Sequence, residues 1–142
     1  MEKITMYTDG GSRGNPGPSG IGAVILSSDK TVLKEVSQFI GTQTNNWAEY
    51  EAVILGLNEL KKTIGSNKLK DTKIEIKMDS ELVVKQLSGV YQIKDKALGM
   101  QFVKLHNMRV KDFSNTTFTY VPRDQNKHAD RLANDAMDKG NN

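Results

Sequence analysis

Two six-residue segments of this sequence end alike. Ile4-Thr5-Met6-Tyr7-Thr8-Asp9 and Ile74-Glu75-Ile76-Lys77-Met78-Asp79 carry apolar residues in step and finish on an aspartate. Read as strands, each places its aspartate on the face opposite the Ile/Met pair, because side chains alternate faces along a strand. If the two strands are parallel neighbours, the carboxylates lie side by side at their carboxyl ends, where open α/β sheets place ligands. Two carboxylates at that range repel, and neither has an arginine partner in its own segment. A raised pKa or a divalent cation resolves the conflict. Read singly, Asp9 is equally a turn residue ahead of Gly10-Gly11, and Asp79 a helix cap with Ser80.

Two further acids stand where they can join this pair. Glu49 falls in the first turn of a helical segment, with Ala52, Val53 and Gly56 on nearly its own side, and the small residues let that helix approach a sheet closely. Asp130 occupies the first turn of the last helix. For each, a favourable interaction with the helix dipole is the competing explanation. Other chemistries find less support. Gly10 to Gly17 is glycine-rich but lacks the P-loop pattern and opens no helix, so it reads as a flexible turn whose amides could approach a phosphate. His106 and His128 lie on different helices without metal-ligand spacing. No nucleophile elbow supports a serine triad. The absence of cysteine excludes a thiolate zinc site, a cysteine nucleophile and a disulfide framework.

The elements that must carry these acids follow from periodicity. Lys3 to Thr8, Gly20 to Ser27 and Val32 to Ile40 read as strands, with Ser28-Asp29-Lys30 a hairpin-length connection, so the first three form an antiparallel meander. From Trp47 the period changes to three and four residues through Tyr50, Val53, Ile54, Leu57, Leu60 and Ile64, a helix that Thr44 or Asn45 can cap and Gly65 ends. A strand over Thr72 to Met78 leads into a short helix ending near Ser88-Gly89. A longer helix, about Lys96 to Val110, a strand from Thr116 to Val121 stopped by Pro122, and a last helix from about Asn126 to Lys139 complete the order. Asn141-Asn142 reads as a frayed end. The pattern is β-β-β-α-β-α-α-β-α, an α/β fold with one five-stranded mixed sheet, three antiparallel then two parallel strands, and helices packed on it.

Composition sets the frame. At 142 residues the sequence reads as a single domain over residues 1–142, able to bury about 70% of its unfolded surface. Hydrophobic residues make up 37% and charged residues 26%. The longest apolar runs, such as Ala23 to Leu26, fall far short of the roughly 20 residues that cross a bilayer. No export signal follows Met1, so the expected setting is cytoplasmic, with no membrane partner and a monomeric state. Twenty basic against 17 acidic residues leave a net charge of +3, which permits nucleic acid as a partner without demanding it.

Four segments together resemble the type 1 ribonucleases H. They are Tyr7-Thr8-Asp9-Gly10-Gly11-Ser12 with Gly14-Asn15-Pro16-Gly17-Pro18, Thr44-Asn45-Asn46 through Glu49, Asp79-Ser80, and Ala129-Asp130-Arg131-Leu132-Ala133. They occur in that family's order and span nearly the whole chain. The resemblance implies a ribonuclease H-like fold with Asp9, Glu49, Asp79 and Asp130 as catalytic, metal-binding carboxylates. It implies endonucleolytic hydrolysis of the RNA strand of an RNA/DNA hybrid, leaving 5′-phosphate and 3′-hydroxyl ends. Two Mg²⁺ ions roughly 4 Å apart would serve the reaction, with Mn²⁺ able to substitute. Gly10, Gly11, Asn15, Thr44, Asn45, Asn46 and Ser80 match positions near the substrate, where neutral groups read 2′-hydroxyls. Glu81 stands where a glutamine is familiar.

Three departures qualify the match. Val90 to Gln101 is too short for the basic, Trp-containing handle of many relatives, and no hybrid-binding module precedes residue 3, so grip on the DNA strand should be weaker. Val121 to Lys127 is compact and lacks the mobile Gly-His loop that aids product release. His128, two residues before Asp130 on a helix, points away from it. Arg123 is then the expected phosphate contact beside the metals, and Asp124 has no assigned role. A same-fold nuclease that also cuts RNA/RNA duplexes and a non-catalytic hybrid-binding module are the alternative functions. Retention of four mutually repelling acids argues against the second.

Overall fold

A computed structural model describes residues 2–140. Strands β1 (Glu2–Ser12), β2 (Gly17–Leu26) and β3 (Val32–Gln43) form the meander, and helix α1 (Asn45–Ile64) follows. A four-residue helix, α2 (Ser66–Leu69), precedes β4 (Thr72–Met78). Helices α3 (Glu81–Leu87) and α4 (Lys96–Asp112) lead to β5 (Thr116–Tyr120), a 3-10 turn at Arg123–Gln125, and α5 (Lys127–Gly140). The sheet order is β3-β2-β1-β4-β5, with β1 antiparallel to β2 and parallel to β4. This is the expected five-stranded mixed sheet. The fraying expected at Asn141-Asn142 lies outside the described residues.

Alternation along β1 decides which helix covers which face. Met6, Thr8 and Gly10 share a face with their antiparallel partners Ile25, Ala23 and Ile21, and α1 packs there. Ile4, Met6, Ile74, Ile76 and Met78 meet Val53, Ile54 and Leu57 of α1 in the main core, which α3 and α4 extend through Val83, Leu87, Leu98 and Leu105. Tyr7, Asp9 and Gly11 face the other way, with Val24, Gly22 and Gly20, and α5 lies against that side. Its small face of Ala129, Ala133 and Ala136 comes so near the sheet that a Cβ on Gly22 would stand 2.2 Å from the Ala129 carbonyl oxygen.

Several boundaries differ from the sequence reading, each for a packing reason. Gly10 and Gly11 are not part of a flexible turn. They continue β1, paired with Ile21 and Gly20, and the turn shrinks to Arg13 to Pro16, with a cis Asn15–Pro16 bond. Helix α1 begins at Asn45, capped by Thr44, whose Oγ1 accepts the Trp47 N–H at 3.2 Å. Glu49 therefore lies beyond the first turn, where the dipole explanation weakens. The short α2 was not anticipated, because four residues show no period. It is anchored by buried Leu69.

Candidate active site

The parallel register of β1 and β4 pairs Ile4 with Ile74 and each following residue in step as far as Thr8 with Met78. Asp9 and Asp79 come next on their chains. There β4 stops, whereas β1 runs on to Ser12 with β2 alone beside it. The sheet is open at this point, and side chains from both of its faces can meet. Asp9 leans to the α5 side, where Asp130 stands in the first turn. Glu49 arrives from α1 because Gly10 has no side chain: a Cβ there would lie 2.3 Å from the Ala48 carbonyl and 2.6 Å from the Glu49 nitrogen.

The result is that carboxylate oxygens of Asp9, Glu49 and Asp79 lie within 4.8 Å of one another. Asp9 and Glu49 are 8% and 7% exposed, while Asp79 is half-buried. Burial pushes the Asp9 carboxyl up to about 8, reinforced by the charge of Asp79 and by Asp130, with which it shares a hydrogen bond. Burial, then Asp9 and Asp79, hold Glu49 well above its ordinary range, against a hydrogen bond from the Gly10 backbone. Burial also raises Asp79, opposed by a hydrogen bond from Asn126 and the positive charge of Arg123.

Of the four buried side-chain polar atoms lacking a partner among the described residues, three belong to this corner: Thr8 Oγ1, Glu49 Oε2 and Asn126 Oδ1. Folded proteins keep few such atoms, and each costs about 1–3 kcal/mol. Asn126 went unnoticed in the sequence because an asparagine at a helix start reads as a cap. Its Nδ2 instead donates to the Thr8 carbonyl at 2.9 Å. No local pattern signals that reach; only the position of α5 against β1 reveals it.

The expected substrate residues gather around the acids. Asn15 and Asn45 lock the β1–β2 turn to the start of α1: Asn45 N–H donates to Asn15 Oδ1 at 3.1 Å, and Ser12 N–H to Asn45 Oδ1 at 2.8 Å. Thr44, Asn15 and Asn45 are exposed and Asn46 and Gly11 half-buried, whereas Gly10 is buried. Ser80 caps α3, accepting the Val83 N–H at 3.3 Å. Arg123 is exposed in the 3-10 turn, near enough for its charge to act on Asp79. His128 pairs with Glu35 of β3, and His106 stacks on Phe102, so neither histidine joins the acids.

A mixed sheet that opens over a knot of acids between two helical layers defines a ribonuclease H-like class of protein. A family model described as reverse transcriptase-like matches residues 7–136. The solved structure of LC11-RNase H1, isolated from compost by a metagenomic approach, superposes at TM-score 0.94 with 46% identity, covering 100% of both chains. The same protein in complex with RNA/DNA hybrid gives 0.94 at 45% identity, over 98% of this chain and 99% of that one. Among curated relatives, Ribonuclease HI of Halobacterium salinarum is 40% identical over 136 residues, 96% of this chain and 65% of that protein. Bifunctional protein Rv2228c of Mycobacterium tuberculosis is 45% identical over 137 residues, 96% of this chain and 36% of that protein. The chain thus spans from about a third to about two thirds of these relatives' length. It belongs to the type 1 ribonuclease H family. None of its described helices is long and apolar enough to cross a membrane.

Proposed function

We propose that this chain is a ribonuclease H: a metal-dependent endonuclease, one domain and monomeric, that hydrolyses the RNA strand of RNA/DNA hybrids in the cytoplasm and leaves 5′-phosphate and 3′-hydroxyl ends. The convergence of the Asp9, Glu49 and Asp79 carboxylates within 4.8 Å carries the reading. Its family membership and its likeness to a ribonuclease H1 solved in complex with RNA/DNA hybrid support the substrate.

The residues fit a hard divalent cation. All the donors are oxygens, which suits Mg²⁺ or Mn²⁺ and disfavours zinc. Glu49 Oε2 is buried without a partner, and the raised pKa of Asp9 marks negative charge that the protein itself leaves unbalanced. Asp9, Glu49, Asp79 and Asp130 would hold two such ions. Bound there, they supply an activated water and stabilise the leaving 3′-oxygen.

The chain's own residues do the rest. Asn15, Asn45 and Asn46, on a turn and a helix start joined by hydrogen bonds, present neutral donors and acceptors suited to 2′-hydroxyls. Thr44 and Gly11 flank them, and Ser80 follows Asp79 directly in the chain. Arg123 offers a positive charge beside Asp79 for a phosphate. Gly10 serves by its lack of a side chain, which lets the backbone at Glu49 approach β1. The test is incubation with an end-labelled RNA/DNA hybrid, an RNA/RNA duplex and a DNA/DNA duplex in Mg²⁺ and in Mn²⁺, with Asp9→Asn and Asp79→Asn alongside. Cleavage of the hybrid's RNA by the parent alone is the expected result. Full activity in either variant would falsify the assignment, and cutting of RNA/RNA would widen the substrate.

A further inference from the structure

Asn126 is 1% exposed and lies between the 3-10 turn and α5, yet its side chain does not cap the helix. Its Oδ1 accepts from no group among the described residues. The Nδ2 donates to the carbonyl of Thr8, the residue just ahead of Asp9, at 2.9 Å. A carbonyl only accepts, so this bond fixes which end of the amide is the donor and leaves Oδ1 over. The Asn126 backbone carbonyl, in turn, accepts the N–H of Asp130 at 3.0 Å. One buried residue therefore ties the strand ahead of Asp9 to the helical turn that presents Asp130.

Asp9 stands just past the last β1–β4 pair and Asp130 on α5, so no strand ladder sets their separation. The two bonds of Asn126 span that gap. We infer that Asn126 is a positioning residue that fixes Asp130 relative to Asp9 and thereby sets the affinity of the carboxylate site for divalent cations. This rests on the ribonuclease H reading of the same site. A partner behind a metal ligand typically governs 10–100-fold in affinity or activity.

The test uses Asn126→Ala, which removes the amide, and Asn126→Leu, which keeps the branched shape without its protons. Mn²⁺ binding is measured by calorimetry on the protein without nucleic acid. Hybrid cleavage is measured across Mg²⁺ concentrations, and folding by circular dichroism. In folded variants, Mn²⁺ affinity should fall by about tenfold or more. The Mg²⁺ concentration giving half-maximal cleavage should rise to match, with KM for the hybrid at saturating Mg²⁺ within about twofold of the parent. Unchanged Mn²⁺ affinity in a folded variant overturns the inference. So does a loss confined to hybrid KM, or a failure of both variants to fold, which would make Asn126 purely structural. A parent that binds no Mn²⁺ and cuts no hybrid would instead remove the ribonuclease H reading itself.

Discussion

Asp9 sits where burial and neighbouring carboxyl groups oppose its charge, and with its pKa near 8 the metal-free protein holds a proton there at neutral pH. The unfolded chain releases that proton near 3.8. Between about pH 4 and 8 the folded state is therefore the more protonated one, and stability declines as pH rises through that window. The metal-free Tm should be higher at pH 5 than at pH 8, and Asp9→Asn should flatten the slope, as thermal melts at both pH values would reveal. The same substitution should cut hybrid cleavage by about 10³-fold or more, the several kcal/mol expected when metal-held charge stabilisation is lost. The aspartate pair was legible in the sequence because two strands repeated one pattern and ended on the same residue type. Glu49 was legible through the small residues on its own side. Asn126 was not, since its side-chain partner is a backbone carbonyl 118 residues away.

At the scale of elements, the closest approaches are made at glycines. Gly10→Ala would drive a methyl group into the α1 backbone at 2.3 Å, which side-chain rotation cannot relieve. It should cost about 1–3 kcal/mol of stability. Cleavage should fall further than that loss explains, because the helix that yields is the one bearing Glu49. Gly11→Ala meets only the Met137 methyl at 3.5 Å, ordinary contact, and should fold normally. Urea unfolding and steady-state kinetics on the two variants provide the comparison, and equal damage from both would contradict this account. These glycines also mark where local reading of the sequence stopped short. Glycine pairs with asparagine and proline nearby signal a turn, and the continuation of β1 through Gly10 and Gly11 becomes understandable only once helices press on both faces. Apart from the short α2, the strand-helix order was legible, because the longer elements carried short apolar runs bounded by turn residues or a helical period.

For the molecule as a whole, the acids join three layers, with α1 on one face of the sheet, α5 on the other, and β1 and β4 between. A cation shared among them would bind the folded state alone, since the unfolded chain has no preformed site. At a concentration 100 times its Kd, Mg²⁺ should add about 2.7 kcal/mol, raising Tm by roughly 10 °C for a chain of this size. Calorimetric scans with Mg²⁺ and with a chelator measure the shift, and Asp9→Asn should lose most of it. The α3–α4 connection, Ser88 to Asp95, is too short for a basic handle. The cap that Thr44 places on α1 has a consequence for following all this in solution. It fixes Trp47, the chain's one tryptophan, in a half-buried place two residues from Glu49 and adjoining Asn46. The protein thus carries a native fluorophore at the corner where cation and nucleic acid would arrive, so changes in its emission report each arrival without any label.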